Sequence, residues 1–239
     1  MPFGFYGFYG LDGRIMILLL VAFAFSMYAQ IKVQSAFARF SKIAARSGLT
    51  GAQVARELLD QNGMRDVPVE LVPGRLNDHY DPRRRRMRLS PDVYHGNSLA
   101  ALGVAAHEAG HAVQHGTGYA PLSFRNSLFP VANLGSTLAM PIFLIGLIFG
   151  GTSSLLLMNL GIILFSVAVA FQIITLPVEF NASSRALAML ETSGALGRGE
   201  ELEGARKVLN AAALTYLAAT AVALLTLLRL FLLRESRRD

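Results

Sequence analysis

Cysteine is absent from this chain of 239 residues. No disulfide scaffold can therefore hold it together, and nothing in its chemistry depends on a thiol redox state. Charge is scarce as well: 16% of residues are Asp, Glu, Lys or Arg, where an ordinary soluble domain carries roughly a quarter. The 22 glycines and 9 prolines follow no strict period, which excludes a collagen-like rod, and a hydrophobic fraction of 53% excludes intrinsic disorder. The longest gap in charge runs from Asn126 to Val178, 53 residues without one Asp, Glu, Lys or Arg. That is more than twice the ~20 residues a bilayer span needs, so a wholly soluble protein is excluded too.

Ile15 to Ile31 is a second uncharged run, of 17 residues between Arg14 and Lys32, close to the minimum crossing length. Its length, the single Arg ahead of it and the lack of a small-x-small site favour an uncleaved anchor over a signal peptide. As one helix the 53-residue gap would be about 80 Å long, so it must fold back. Gly150-Gly151-Thr152-Ser153-Ser154 is the expected turn. Spans are expected over about 15–31, 128–149, 155–177 and 208–228. The second is interrupted by Pro141, and the fourth is followed by Arg229 and Arg234, which can snorkel to the interface. The whole chain, 1–239, reads as a single membrane domain with polar segments 32–125 and 179–207. Two spans separate those segments, so both face the same side of the bilayer.

The net charge is +6, and 13 of the 22 Lys and Arg residues lie between Lys32 and Arg125. No nucleic-acid motif accompanies them, so the expected partner is the lipid bilayer and not nucleic acid. Lys32, Arg39, Lys42, Arg46, Arg125, Arg185, Arg198, Arg206 and Lys207 all lie near span ends on one side, against Arg14, Arg234, Arg237 and Arg238 on the other. The positive-inside rule then gives a multi-pass protein of the cell (inner) membrane with its polar segments in the cytoplasm.

Local signals within 32–125 are legible. Thr50 with Gln53 forms a capping box, Leu49 with Val54 a hydrophobic staple, and Gly63 stops the helix they start. VPVELVPGRL and RRMRL read as strands of a small sheet, and NDHYDP between them favours a turn or short irregular connection. Asn97 or Ser98 can cap a helix running from Leu99 to His115, ended by Gly116.

That helix carries His107-Glu108-Ala109-Gly110-His111. Residues i and i+4 share one helix face, so two imidazoles can bind one Zn²⁺ while the intervening glutamate takes a proton from water. With five His in the chain, HExxH should arise by chance only about 0.004 times. A hydrolytic zinc needs a third protein ligand and an open position. His115 lies a turn too far along and suits a cation near the helix C-terminus. Asp78, His79, Asp81 and His95 could reach only from the sheet or its connection. Glu179 is the better candidate: it follows Pro177 at the end of the third span, on the same side as the two histidines. An unpaired carboxylate is costly there; the other reading is an ordinary ion pair with Arg185.

DHYDPRRRRMRLSPDVYHGNSLAALGVAAHEAGHAVQH, two following spans and LPVEFNASSRAL together resemble the YugP-type neutral zinc metallopeptidases of bacterial membranes, over nearly the whole chain. The layout resembles, more distantly, the HtpX and CaaX-processing peptidases. The resemblance implies an α+β, mainly helical protein: four transmembrane helices plus a gluzincin-like zinc peptidase domain with a small β-sheet. It also implies His107, His111 and Glu179 as zinc ligands and Glu108 as general base. Those peptidases carry a Glu in a pattern ExxxD, whereas the Asp position here is Ser183. The carboxylate that would orient a ligand histidine is missing, or Ser183 hydrogen-bonds in its stead.

The expected activity is that of an integral membrane zinc-dependent endopeptidase acting on a peptide or membrane-protein substrate, with His79, Tyr80, Asn181 and Arg185 as candidates for substrate or oxyanion contacts. A strand near Asp78-His79-Tyr80 can pair with an extended peptide, or Pro82 and the arginines can block that edge against aggregation. Arg83 to Arg86 either touch lipid headgroups or form a solvated tip. A catalytically silent zinc-bound scaffold or quality-control adaptor is the alternative, distinguished by whether Glu108 is needed. The charge-free spans argue against a transporter.

Overall fold

Residues 13–149 and 152–237 are described by the computed structural model. Along the chain run helices α1 (Gly13–Phe40) and α2 (Gly51–Gln61), strands β1 (Val69–Leu71), β2 (His79–Asp81) and β3 (Arg86–Leu89), and helices α3 (Pro91–Tyr94), α4 (Leu99–Gly116), α5 (Ala120–Ile148), α6 (Thr152–Ser193) and α7 (Glu200–Glu235). The protein is thus mainly helical, with one small three-stranded sheet. Among the described residues, α1, α5, α6 and α7 are long and apolar enough to cross a membrane.

Each of these four helices overruns the charge-free run that marked it. α1 continues nine residues past Ile31, and α6 continues through Pro177 and Glu179 to Ser193. At 42 residues, α6 is about 63 Å long, twice the ~30 Å of a bilayer's hydrocarbon. An absence of charge marks where a helix is apolar, whereas the helix itself ends where capping and packing stop it. Of the expected turn, residues 152–154 are already helical, in α6, while Gly150 and Gly151, like Arg238 of the basic tail, lie outside the described residues.

The chain divides into two compact units. One comprises Met1–Tyr28, Phe124–Thr175 and Tyr216–Asp239. Phe143, Met158, Ile162 and Leu230 form its buried cluster. Its helices approach closely at glycines: a Cβ on Gly135 would lie 2.6 Å from the Leu164 carbonyl oxygen, and one on Gly146 2.8 Å from the Ser154 oxygen. Small residues at such points let backbones touch where lipid supplies no hydrophobic drive. Asn159 accepts a 3.0 Å hydrogen bond from Arg234 Nε, an interhelical use of an intramembrane amide.

The other unit comprises Ala29–Ser123 and Leu176–Thr215. The capping box is formed: Gln53 N donates to Thr50 Oγ1 at 3.3 Å, and Thr50 N donates to Gln53 Oε1 at 2.8 Å. Gly63 follows α2 with φ +75. Leu58, Leu59, Met87, Leu89 and Leu102 are fully buried and form the centre of the unit. Ser98 caps α4 by accepting from Ala101 N at 3.2 Å. The left-handed residue beyond that helix is Gly118, φ +64, and not Gly116, which is its last helical residue.

The sheet corrects one expectation. NDHYDP is not simply a connection: His79–Asp81 is itself a strand, antiparallel to β3, which is parallel to β1 on its other side. The order is β1-β3-β2, so β2 is an edge strand. The turn that reverses the chain is Pro82 to Arg85, one step later than the Asn and Asp residues suggested. Asp81 Oδ1 accepts the backbone N–H groups of Arg83 and Arg84 there, and Arg85 takes φ +48.

Candidate metal centre

His107 and His111 stand one turn apart on α4, their rings 4.7 Å between centroids and nearly perpendicular. Opposite them is Glu179 of α6. Its Oε2 lies 3.3 Å from His107 Nε2 and 3.5 Å from His111 Nε2. One ligand atom from each of the three residues lies within 4.8 Å of the other two. Among the described residues this is the group of His, Asp and Glu that could hold a metal ion.

Gly110 permits the approach. A Cβ at that position would fall 2.5 Å from the Ala182 carbonyl oxygen, inside any tolerable contact, so only glycine lets α4 lie this close to α6. The residue between the histidines is therefore as much part of the site's construction as the histidines are.

The outer nitrogens of both imidazoles are held. His107 Nδ1 lies 3.1 Å from Ser183 Oγ, and His111 Nδ1 lies 3.0 Å from Gln114 Oε1. Ser183 thus occupies the place where the ExxxD pattern has a carboxylate, and hydrogen-bonds the ring itself. Glu179 is 3% exposed. Burial alone would raise its pKa, but hydrogen bonds and charge from His107 and His111 outweigh it and hold the carboxyl well below the ordinary range. Two imidazoles and one carboxylate, with both Nδ1 atoms turned outward into hydrogen bonds, fit the donor set of a zinc site with an open position.

Glu108 is buried between the histidines on the same helix. Its Oε2 accepts the backbone N–H of Tyr80 in β2 at 2.9 Å. In an antiparallel pair the N–H and C=O of one residue point to the same side, so the β2 edge that faces Glu108 also carries the Tyr80 carbonyl.

The remaining candidates are distributed around the centre in different ways. Tyr80 directs its hydroxyl to His115 Nδ1 at 2.8 Å, and burial, only partly offset by Arg85, raises its pKa. His115 is thereby placed as a tyrosine partner, away from the three-residue group. His79 is exposed, with Nδ1 2.7 Å from the Asn77 carbonyl. Asp78 accepts from Ser90 N and Oγ at 2.7 and 3.0 Å, and His95 packs edge-on against Tyr94. Arg185 donates from Nε to Asn181 Oδ1 at 2.8 Å. Asn181 Oδ1 also accepts from Gln114 Nε2 at 3.0 Å. Sequence reasoning passed over Gln114, which is fully buried. Its signal was its spacing: His107, His111 and Gln114 fall at i, i+4 and i+7, on one helix face.

A membrane-type helical protein whose α4 presents HExxH to a buried glutamate on a neighbouring helix has the build of a membrane metallopeptidase. The chain belongs to the family described as "Putative neutral zinc metallopeptidase", whose model matches residues 15–235. It is 52% identical over 224 residues to "Putative membrane protease YugP" of Bacillus subtilis (strain 168), covering 94% of this chain and 98% of that protein. No solved structure matches it.

Proposed function

We propose that this protein is an integral membrane zinc endopeptidase, with His107, His111 and Glu179 as metal ligands and Glu108 as general base. The observation that carries the reading is the convergence of Glu179, 72 residues along the chain, on both HExxH imidazoles. Zinc, when bound, supplies Lewis acidity toward a peptide carbonyl and toward water. Everything else falls to the chain's own side chains. Glu108 accepts a proton from the attacking water and delivers it to the leaving nitrogen. The Tyr80 N–H engages one of its oxygens and fixes the carboxylate's direction. The edge of β2 turned away from β3, with the Tyr80 carbonyl on it, suits an extended peptide added as a further strand. This arrangement is that of a gluzincin-like site, and the substrate is a peptide or membrane protein reached from the cytoplasmic side of the cell (inner) membrane.

The test is proteolysis of β-casein by the purified protein in detergent, with zinc content measured on the same samples. Glu108→Gln is expected to keep its zinc and lose on the order of 10²–10⁴-fold in rate, the range of general acid–base catalysis. Glu179→Ala is expected to lose the metal itself. Full turnover by Glu108→Gln would refute the mechanism, and undiminished zinc in Glu179→Ala would remove that residue from the ligand set.

A further inference from the structure

The two histidines are held by partners of different kinds. Ser183 Oγ, beside His107 Nδ1, is a hydroxyl that can donate or accept, so it leaves the ring's tautomer undetermined. Gln114 is different, because its amide has one possible orientation. Its Nε2 is 2.8 Å from the Val178 carbonyl oxygen, a group that only accepts. The same Nε2 donates to Asn181 Oδ1. That oxygen's identity is fixed in turn by Arg185 Nε at 2.8 Å, a group that only donates. Two independent anchors therefore face the NH₂ of Gln114 one way and its Oε1 the other, toward His111 Nδ1. An oxygen there requires that Nδ1 carry the hydrogen. In the neutral ring the Nε2 lone pair is then the one left for a metal ion, on the side of the ring that faces Glu179 at 3.5 Å.

Resting on the reading of the site as a zinc centre, we infer that Gln114 is the positioning residue of that centre, fixing the tautomer and ring direction of His111, while the Ser183 bond to His107 is the weaker constraint. The role needs the acceptor oxygen of Gln114, with its NH₂ anchored on Val178 and Asn181 to keep that oxygen on His111. Val178 lies inside α6, where a carbonyl already has a helical partner, so loss of the Gln114 donor costs the fold little. Gln114 is fully buried, and neither solvent nor lipid can replace its oxygen.

Zinc affinity, measured by chelator competition on the full-length protein in detergent, tests this without any assay of activity. Gln114→Met, close in shape but lacking the acceptor, is expected to weaken zinc binding by about 10–100-fold, the range for groups that orient metal ligands. Gln114→Glu keeps an acceptor toward His111 but sets its second oxygen against the Val178 and Asn181 oxygens, so it is expected to bind zinc more tightly than Gln114→Met and less tightly than wild type. Ser183→Ala is expected to fall less than Gln114→Met. Thermal melts in excess chelator, where a purely structural role would show, are expected to be similar for all variants that keep the fold. Wild-type affinity in Gln114→Met overturns the inference, as does a Gln114→Glu that binds no better than Gln114→Met, or a larger loss in Ser183→Ala. A wild-type protein with no affinity for zinc overturns the reading of the site itself, which separates the two failures.

Discussion

A single hydrogen-to-methyl change at Gly110 should do more damage than most substitutions in the core. The added Cβ would sit 2.5 Å from the backbone oxygen of Ala182, and backbone cannot swing aside as a side chain can. α4 and α6 must part by something like 1 Å, and Glu179 would move away from both imidazoles together. Gly110→Ala is therefore expected to cost about 1–3 kcal/mol in stability, the usual range for overpacking, and to reduce zinc bound per chain. Gly63→Ala is the comparison, since a Cβ there meets nothing within 4 Å and only the positive φ of +75 resists it. A Gly110→Ala protein with full zinc content would show that the close approach is not what assembles the site.

Strand β2 joins the sheet to the zinc-type helix through two contacts of opposite character. Its backbone N–H at Tyr80 reaches Glu108, and its side chain reaches His115. The first is expected to bear on chemistry and the second on stability. Tyr80→Phe keeps the N–H and removes the hydroxyl, leaving His115 Nδ1 without that partner; about 1–2 kcal/mol of stability should be lost with catalytic rate kept within a few-fold. If the hydroxyl instead served a developing oxyanion, the rate would drop by about 10²–10³, so the kinetics of this variant decide between the two roles. The same strand shows what the sequence could and could not disclose. α4 was readable because its signals are local: a Ser98 cap, an apolar face, and HExxH spacing. β2 was legible only in part, as a strand near Asp78-His79-Tyr80 inside an expected connection, because Asn77, Asp78 and Pro82 around it favour turns while β3 and a glutamate 28 positions away hold it extended. α6 was half readable: its apolar stretch was evident, but its continuation past Pro177 depends on packing of Val178, Ala182, Ala186 and Leu190, all fully buried. Gln114 was missed because its three hydrogen-bond partners lie on its own helix and on one far along the chain.

Both polar segments of the chain, the one before α5 and the one after Thr175, belong to a single compact unit. Such a unit is not expected to be divided by ~30 Å of hydrocarbon, which gives the same expectation as the count of two intervening spans: both segments on one side. Which side is then a matter of charge: nine Lys and Arg near span ends on that side against four on the other favour the cytoplasm. The absence of cysteine makes this directly measurable, since any introduced thiol is the chain's only one. Arg75 and Arg198 have side chains 81% and 85% exposed, and replacing either removes no more than a surface ion pair, worth about 0–1 kcal/mol. In right-side-out vesicles, Arg75→Cys and Arg198→Cys are each expected to resist a membrane-impermeant maleimide until the membrane is opened. In inside-out vesicles both should react at once. Labelling of one and not the other from a given side would break the pairing of the two segments and with it the site that needs His107 and Glu179 together. Labelling of both from the outside would leave the site intact and place its substrate on the opposite face, where the basic residues would then run against the positive-inside rule.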